Sequence, residues 1–275
     1  MTVRQLSKLL KDALSPLDAQ AILQTLLGCS HTQLILCADE ELSDEIISKA
    51  LSMKERREQG EPIQYITGTW SFLGRDYLVG KGVLIPRDDT EVLVTQSLRL
   101  IPEDRKMTIL DLCAGTGIIA VTIKKERPLC EVFAVEKGEE AFSYLTRNVR
   151  KHDVEVRCIL SDLKDCVKEF PDGSLDMIVS NPPYIKKEDL PSLQREVQYE
   201  PALALDGGES GYDFYESIIA LYQNKLKKGG YLAFEIGEGQ SEYITSLLTD
   251  AGFDAIHIYN DIQNIPRAIT AVRKN

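Results

Sequence analysis

The chain has 275 residues, of which 43% are hydrophobic and 27% are charged, and its formal net charge is -11 with a pI near 4.9. A chain of this length can bury a full hydrophobic core and predicts about two domains. The acidic balance argues against broad, sequence-independent contact with nucleic-acid phosphates, which needs a basic face, although it leaves room for a small basic patch.

Cysteine and histidine usage predicts free thiols and no metal. The six cysteines are scattered without a CxxC pair, and the three histidines stand far apart without metal-ligand spacing. The chain lacks a signal-peptide stretch at its start, and no run approaches the roughly 20 apolar residues of a membrane span. We therefore expect a cytoplasmic protein that does not contact membranes.

The first part of the chain, residues 1 to 58, predicts a small bundle of short helices. Ser15 before a proline is typical of a helix start, and Gly28 is typical of a helix end. Ser43 is expected to begin another helix, because acids follow it and suit the helix dipole. Residues 60–82 mix aromatic and polar residues with glycines, which predicts a connecting segment with a short β-hairpin.

From residue 87 onward, short apolar strands alternate with helices. This pattern predicts a doubly wound, mostly parallel α/β sheet. A helix is expected over residues 90–100, with Thr90 as its cap. The predicted strands cover residues 108–112, 131–135, 156–160, 175–180, 231–236, 255–259 and 269–272.

A glycine-rich loop follows the first predicted strand of this sheet. It has the sequence Asp111-Leu112-Cys113-Ala114-Gly115-Thr116-Gly117, and its two glycines let the backbone turn tightly and approach a ligand closely. The loop lacks the full GxGxxG pattern and the lysine of a P-loop. Glu136 ends the second strand, about 19 residues further on, where an acid binds ribose hydroxyls in nucleotide-binding α/β folds. The alternative for Glu136 is an exposed loop acid.

Asp162 ends the third predicted strand and is followed by Leu163. An acid at this place can accept a hydrogen bond from an adenine amino group while Leu163 lies against the ring. A helix-capping role is the alternative for Asp162. Because the carboxyl ends of parallel strands meet at one rim of a sheet, these residues are expected to share a nucleoside site.

Asn181-Pro182-Pro183-Tyr184 follows the fourth predicted strand, so it belongs to the same rim. The Asn181 side-chain oxygen and a backbone carbonyl, that of Pro182, can each accept one hydrogen of a planar NH2 group. Tyr184 can stack on the face of the group, and proline holds the carbonyls in place because its φ is fixed. An ordinary turn at the end of a strand is the alternative. The motif therefore predicts a site for a planar amino group beside the nucleoside site.

Together these residues resemble the class I S-adenosylmethionine-dependent methyltransferases, which have a Rossmann-like fold and modify planar nitrogen. Three further blocks, at residues 61–68, 84–91 and 200–208, are similar to the peptide chain release factor glutamine methyltransferase family. The resemblance covers nearly the whole chain. It implies methylation of the N5 atom of the glutamine in the Gly-Gly-Gln motif of translation release factors, with S-adenosylmethionine as cofactor and a release factor as partner.

The resemblance also implies a division of the chain and a set of site residues. Residues 1–70 would form a helical substrate-recognition domain, residues 71–86 a β-hairpin linker and residues 87–275 the methyltransferase domain. The implied cofactor-binding residues are Asp111, Cys113, Ala114, Gly115, Thr116, Gly117, Glu136, Asp162, Leu163 and Asn181. The implied catalytic and substrate-binding residues are Asn181, Pro182, Pro183 and Tyr184. Arg87, just before the sheet, is expected either to contact the substrate or to brace the domain junction. The chain departs from the family pattern at Cys113-Ala114, where Gly-Thr is usual, at Asp88-Asp89, where Pro-Glu is common, and at Ser210, where an acid is common.

Three other functions remain open at this point. The same amino-group pocket would serve a nucleic-acid methyltransferase acting on adenine or cytosine, which the acidic balance and the lack of a basic recognition domain disfavour. The second is a glutamine methyltransferase that acts on a ribosomal protein instead of a release factor. A catalytically silent cofactor-binding or scaffold protein is the third, but such a protein has no use for the intact Asn181–Tyr184 motif.

Overall fold

The structure is a computed structural model and describes residues 1–274. Its N-terminal part is a group of five helices around a small apolar core of their own. They are α1 (Val3–Lys11), α2 (Pro16–Leu27), α3 (His31–Leu36), α4 (Asp44–Glu58) and α5 (Ile63–Thr67). The Ser15 hydroxyl accepts a hydrogen bond from the Asp18 amide and Gly28 adopts a left-handed φ of 61°, so the predicted start and end of α2 are confirmed. Ser43 caps α4 in the same way.

A two-stranded antiparallel hairpin follows the helices. Its strands are β1 (Thr69–Phe72) and β2 (Arg75–Leu78). The helices thus end inside the predicted segment 1–70, and the hairpin begins slightly before the predicted linker at residue 71. The role of the helical segment in substrate recognition stays a prediction.

The rest of the chain forms a seven-stranded sheet. Its strands are β3 (Thr108–Leu112), β4 (Glu131–Glu136), β5 (Val156–Leu160), β6 (Leu175–Ser180), β7 (Leu226–Glu235), β8 (Phe253–Asn260) and β9 (Pro266–Arg273). They lie in the order β5-β4-β3-β6-β7-β9-β8. The first five strands in this order are parallel, and β9 is antiparallel to both of its neighbours. The predicted mostly parallel α/β sheet is confirmed, with the last three strands longer than predicted.

Helices cover both faces of this sheet, as its apolar strands require. They are α6 (Thr90–Leu100), α7 (Ile118–Glu126), α8 (Glu139–Lys151), α9 (Leu163–Cys166), α10 (Asp213–Tyr222) and α11 (Ser241–Asp250). The first three contribute to one hydrophobic core, and the last three contribute to the core on the opposite face. Within residues 1–274, no helix combines the length and the apolar character needed to cross a membrane.

Residues 187–204, here called the strap, join the helical N-terminal part to the rim of the sheet. The strap consists mostly of short 3-10 turns, at Lys187–Ser192, Val197–Tyr199 and Ala202–Ala204. The Tyr199 hydroxyl donates to the Gln59 carbonyl at 2.9 Å, and the Arg195 guanidinium donates to the same oxygen. Arg57 of α4 forms an ion pair with Glu196. The strap is therefore held by the end of α4.

Candidate active site

Two adjoining cavities lie at the rim where the parallel strands end. The larger has a volume of about 360 Å³ and is bordered by the glycine-rich loop after β3 and by the ends of β4 and β5. The smaller, of about 330 Å³, is bordered by residues 181–185, the strap and the end of β7. Both cavities are lined by Asn181 and Arg87. The Asn181 side chain therefore stands between the two spaces.

The glycine-rich loop turns with three residues in the left-handed region. The φ values are 61° at Cys113, 54° at Gly115 and 82° at Gly117. A Cβ at Gly117 would lie 2.5 Å from Leu145 Cδ1, so this position also needs a glycine for close packing against α8. Cys113 carries a side chain in a conformation that costs about 1–2 kcal/mol for an L-residue. Burial, with the neighbouring Glu136 charge, raises the pKa of the Cys113 thiol, which is therefore a neutral group lining the cavity.

Glu136 faces the larger cavity from the end of β4 and is 9% exposed. Its Oε2 atom accepts a hydrogen bond from the Gly115 amide at 2.8 Å, and its Oε1 atom accepts one from the Gly138 amide at 2.7 Å. Each carboxylate oxygen has a second lone pair. The carboxylate is thus fixed between two loops with acceptor capacity left for a ligand.

Asp162 and Leu163 border the same cavity at the end of β5. Asp162 caps α9 by accepting from the Lys164 amide at 2.9 Å, as the alternative interpretation of the sequence held, and it also pairs with Lys137 at 2.9 Å. Partial burial would raise the pKa of Asp162, but the hydrogen bonds from these two lysines hold it below its ordinary value. Asp162 therefore caps α9 and also presents its carboxylate at the wall of the larger cavity.

Asp111 lies elsewhere than the sequence predicted. It is fully buried beneath the glycine-rich loop, where its Oδ2 atom accepts from the Ala120 amide at 3.1 Å, and it does not line the larger cavity. Burial raises the pKa of Asp111 well above its ordinary value. The reason is strand geometry: Asp111 is the penultimate residue of β3 and points under α7. We therefore assign it to the support of the loop.

The Asn181 side chain presents its oxygen without a partner. Its Nδ2 atom donates to the Thr90 hydroxyl at 3.3 Å, whereas its Oδ1 atom accepts nothing from residues 1–274. The Pro182 carbonyl likewise accepts no hydrogen bond from the described part of the chain. Pro182 and Pro183 are buried, so both oxygens are held on a stiff backbone. Two free acceptors therefore follow β6, and their use by a planar NH2 group stays a prediction.

Thr90 does not cap α6 as predicted. Asp89 occupies the N-cap position without a side-chain hydrogen bond, and Thr90 is the first helical residue, 1% exposed. Its hydroxyl faces the interior, where it contacts Asn181. The local sequence pattern predicted that the Thr90 hydroxyl caps the helix, whereas in the structure this hydroxyl bonds to Asn181, a residue distant in the chain.

The Tyr184 ring borders the smaller cavity and is held at both ends. Its hydroxyl donates to Glu235 Oε1 at 3.4 Å, and its carbonyl accepts from Gln240 Nε2 at 3.1 Å. Behind it, a Cβ on Gly207 would come within 2.7 Å of Tyr184 Cα, which shows how closely the two backbones approach. The smaller cavity, called the amide slot below, thus has an aromatic wall fixed in place.

Arg87 is bound to a buried acid. Its guanidinium pairs with Glu200, a residue at the end of the strap that is 6% exposed and that also accepts from the Ile85 amide at 2.9 Å. Burial raises the pKa of Glu200, and the Arg87 charge opposes that effect. Arg87 therefore braces the strap at the border of both cavities, and its contact with a substrate stays a prediction.

The PrmC N-terminal domain model matches residues 2–68, and the methyltransferase small domain model matches residues 89–199. A release factor glutamine methyltransferase from Geobacter sulfurreducens is 37% identical over 254 residues, which is 92% of this chain and 88% of that protein. This chain belongs to the release factor glutamine methyltransferase family.

Other relatives of the family agree with this assignment. The release factor glutamine methyltransferase from Aquifex aeolicus is 35% identical over 256 residues, covering 93% of this chain and 90% of that protein. Among solved structures, a methyltransferase from Pyrococcus furiosus has a TM-score of 0.56 at 17% identity, over 85% of this chain and 100% of that one. The structural likeness shows the class I methyltransferase fold alone.

In this family member, the sequence analysis missed one buried polar residue that lines the amide slot and one that supports it from behind. Glu235, the last residue of β7, is 1% exposed and lines the slot. Gln240 bonds to the carbonyl of Tyr184 and to the amide of Gly237. The signal for Glu235 was available, because an acid ending a parallel strand was the argument used for Glu136. Residues 1–274 contain no group of three or more His, Cys, Asp or Glu side chains that could hold a metal ion.

Proposed function

We propose that this chain transfers a methyl group from S-adenosylmethionine to the side-chain amide nitrogen of a glutamine in a translation release factor. The observation that carries the proposal is the place of Asn181, with its free oxygen, between the larger cavity and the amide slot. The names of the most similar relatives support the same substrate.

The larger cavity fits an adenosyl cofactor. The tight loop around Gly115 and Gly117 leaves room for a ligand close to the backbone, and Glu136 keeps acceptor capacity for ribose hydroxyls. Asp162 and Leu163 supply an acceptor and an apolar surface for the adenine. When bound, S-adenosylmethionine supplies an electrophilic methyl group on a sulfonium.

The amide slot would place the glutamine. An amide nitrogen is a poor nucleophile because its lone pair is delocalised, so orientation and exclusion of water are the main tasks of the protein. Asn181 Oδ1 and the Pro182 carbonyl would each accept one amide hydrogen. As positive charge grows on the nitrogen, these two acceptors stabilise it, and the Tyr184 ring selects a flat group. The methylated nitrogen would carry the positive charge and a strongly acidic hydrogen, which it would lose as a proton to water, while the sulfonium is left as a neutral thioether. No histidine lines the slot, and this scheme needs none.

The partner and the location belong to the same proposal. The strap lines the amide slot and is bound to the end of α4 in the helical segment, which supports a protein substrate that contacts both. A release factor is such a protein, and its place in translation would put the enzyme in the cytoplasm. The net charge of -11 supports a protein over a nucleic-acid substrate.

The deciding experiment is a methylation assay with three candidate substrates. The purified protein is incubated with methyl-labelled S-adenosylmethionine and, separately, with a release factor, a ribosomal protein and DNA, and the label is located by mass spectrometry. We expect the label on the glutamine of the Gly-Gly-Gln motif. The control is Asn181→Ala, which should lower turnover by about 10²–10³-fold while calorimetric affinity for the cofactor stays near the wild-type value. Label on DNA or on the ribosomal protein alone would refute the proposal.

A further inference from the structure

We propose that Asn148 is a positioning residue for cofactor binding. Its side chain joins the glycine-rich loop to residues 78–84, which begin at the end of the hairpin and are called the joining segment below. Because the joining segment is also bound to the helical N-terminal part, cofactor affinity depends on how that part is seated. The inference rests on the proposed function for the identity of the cofactor, and it adds residues that the cofactor does not need to touch.

The Asn148 side chain lies fully buried on α8 and bonds to two other segments of the chain. Its Oδ1 atom accepts from the Leu78 amide at 2.7 Å, and its Nδ2 atom donates to the Leu78 carbonyl at 3.0 Å. The Nδ2 atom also donates to the Thr116 carbonyl at 2.9 Å. One side chain therefore holds the end of β2 and the glycine-rich loop in a fixed relation.

The orientation of the Asn148 amide is fixed by its partners. A backbone N–H can only donate and a carbonyl oxygen can only accept, so the Asn148 oxygen faces the Leu78 amide and its NH2 group faces the two carbonyls. With the amide reversed, an oxygen would face both carbonyls and an NH2 group would face the N–H. An aspartate has nearly the same shape but, when ionised, has no hydrogen to donate. The position therefore requires a side-chain amide.

The Thr116 carbonyl belongs to the part of the glycine-rich loop that borders the larger cavity. Thr116 stands between Gly115 and Gly117, whose φ values of 54° and 82° lie outside regular secondary structure. No other group in residues 1–274 donates to this carbonyl. Thr116 is only 3% exposed, so without Asn148 its carbonyl would be buried with no partner. Because such a group is costly, the loop would move to satisfy it.

The joining segment lies along the face of α8 that carries Asn148. Glu140, Tyr144 and Asn148 follow one another at intervals of four residues, so they share one face of the helix. A Cβ on Gly80 would lie 2.1 Å from the Tyr144 hydroxyl, and a Cβ on Gly82 would lie 2.1 Å from Glu140 Oε2. The segment therefore runs closely along α8 from Asn148 toward the N-terminus of the helix.

The joining segment also borders the larger cavity and is bound to the helical N-terminal part. Gly82 and Leu84 line the cavity. Between them, the Val83 carbonyl accepts from the Tyr65 hydroxyl of α5 at 2.5 Å. Tyr65 is 6% exposed, and neither it nor Asn148 lines the cavity. This wall of the cavity is therefore held at one end by Asn148 and near the other end by Tyr65.

A cofactor in the larger cavity would contact a wall whose place is set from outside the cavity. If this wall is in place in only a fraction of the molecules, the apparent affinity falls by that fraction. The coupling is reciprocal, so a bound cofactor should in turn hold the joining segment and α5 more firmly. Loss of either outer side chain should therefore weaken cofactor binding without changing any group that contacts the cofactor.

The first test measures the affinity for S-adenosylhomocysteine, the reaction product, by calorimetry. Asn148→Asp keeps the shape but removes both hydrogens that face carbonyls, and the dissociation constant should rise about 10- to 100-fold. Tyr65→Phe removes one hydrogen bond from the joining segment, and the constant should rise about three- to tenfold. In the Asn148→Asp background, Tyr65→Phe should add less than about twofold, because both residues hold the same segment.

The matched control is Asp176→Ala, which also removes a buried polar side chain. Asp176 lies near the start of β6, at the end of the strand away from the rim, and accepts from the Thr108 amide at 2.8 Å. This variant should unfold at a lower urea concentration than wild type, while its affinity for S-adenosylhomocysteine stays within about twofold. An equal loss of affinity in Asp176→Ala, or an unchanged affinity in Asn148→Asp, overturns the inference. If Asn148→Asp does not fold, an unchanged affinity in Tyr65→Phe overturns it.

The second test separates cofactor binding from catalysis. In the methylation assay, the KM of Asn148→Asp for S-adenosylmethionine should rise together with the dissociation constant. At saturating cofactor, kcat should stay within about threefold of wild type, because no group at the amide slot has changed. A lower kcat with an unchanged KM is what a merely structural role would give, and it overturns the inference.

The third test does not depend on methyl transfer. In hydrogen exchange of the wild-type protein, S-adenosylhomocysteine should slow the exchange of amides in the glycine-rich loop, in the joining segment and in α5. In Tyr65→Phe the slowing should remain in the loop and be lost in α5. Slowing confined to the loop in wild type overturns the inference. If the protein binds S-adenosylhomocysteine but methylates no release factor, the proposed substrate fails, and these measurements still decide the role of Asn148.

Discussion

Replacing Glu235 by glutamine should remove a pH dependence from the free energy of unfolding. Glu235 is 1% exposed, and burial raises its pKa from an ordinary 4.5 to about 7 in the folded protein. Between these two values the folded protein binds the proton and the unfolded chain releases it. The contribution of this group to stability is therefore present in full below pH 4.5 and is lost as the pH rises through 7.

The size of the effect follows from the two pKa values. Moving a pKa from 4.5 to about 7 corresponds to about 3 kcal/mol, at about 1.4 kcal/mol for each pKa unit. Of this, about 2.5 kcal/mol should be lost between pH 5 and pH 8. His152 acts in the opposite direction below pH 6.5, because burial lowers its pKa. The difference between wild type and variant cancels His152 and isolates Glu235.

Urea unfolding of the cofactor-free protein at pH 5, 6, 7 and 8 measures this difference. Glu235→Gln should gain about 2.5 kcal/mol relative to wild type across that range, whereas Glu238→Gln should follow the wild-type curve. A carbon-13 label on glutamate carboxyl groups gives an independent reading: the resonance missing in Glu235→Gln should titrate near pH 7. Parallel stability curves, with that resonance titrating near pH 4.5, would refute the reasoning.

Three further variants test other parts of the site. Glu136→Ala should weaken S-adenosylmethionine binding about 10- to 100-fold by calorimetry, as expected for lost hydrogen bonds to a charged group; unchanged affinity would count against the ribose assignment. Gly207→Ala should push Tyr184 away, destabilise the fold by about 1–3 kcal/mol and lower kcat, and wild-type kcat would contradict the close approach. Arg87→Ala leaves the buried Glu200 carboxylate with one backbone donor, so it should lower the free energy of unfolding in urea by about 2 kcal/mol. An equal loss of stability in the double variant Arg87→Ala/Glu200→Gln would argue against the Arg87–Glu200 ion pair.

The sheet and its rim could be predicted because both depend on local pattern. Alternating apolar strands and helices indicate a parallel sheet, and residues after successive strands must then meet at one edge. Glu136 and Asn181 follow this rule, and the structure places both at the cavities. Asp111 does not follow this rule. It lies one residue before the end of β3, and neighbouring residues in a strand point to opposite faces.

The supports of the amide slot could not be predicted from local pattern. Asn181 and Thr90 are 91 positions apart in the chain, and Tyr184 and Glu235 are 51 positions apart. Each contact exists only after the sheet has brought distant segments together. At Thr90 the local pattern was misleading, because a threonine before an apolar run resembles a helix cap. The strap has no apolar periodicity, so its path over the rim had no signal in the sequence.

The chemistry of residues 181–184 does not by itself choose between a glutamine amide and an amino group of a base, since both are planar NH2 groups. What differs between these substrates is the surface through which they enter. One wall of the amide slot is formed by four residues of the strap, Leu193, Gln194, Val197 and Ala204. The strap is bound to Gln59 and Arg57 at the end of α4, so the helical N-terminal part is linked to this wall. A substrate that presents its amide on a protein loop can contact this wall and these helices together, whereas a nucleic-acid backbone would meet a chain with a net charge of -11. We therefore expect the strap and the charge to select a protein glutamine, and Asn181 to orient its nitrogen for methyl transfer.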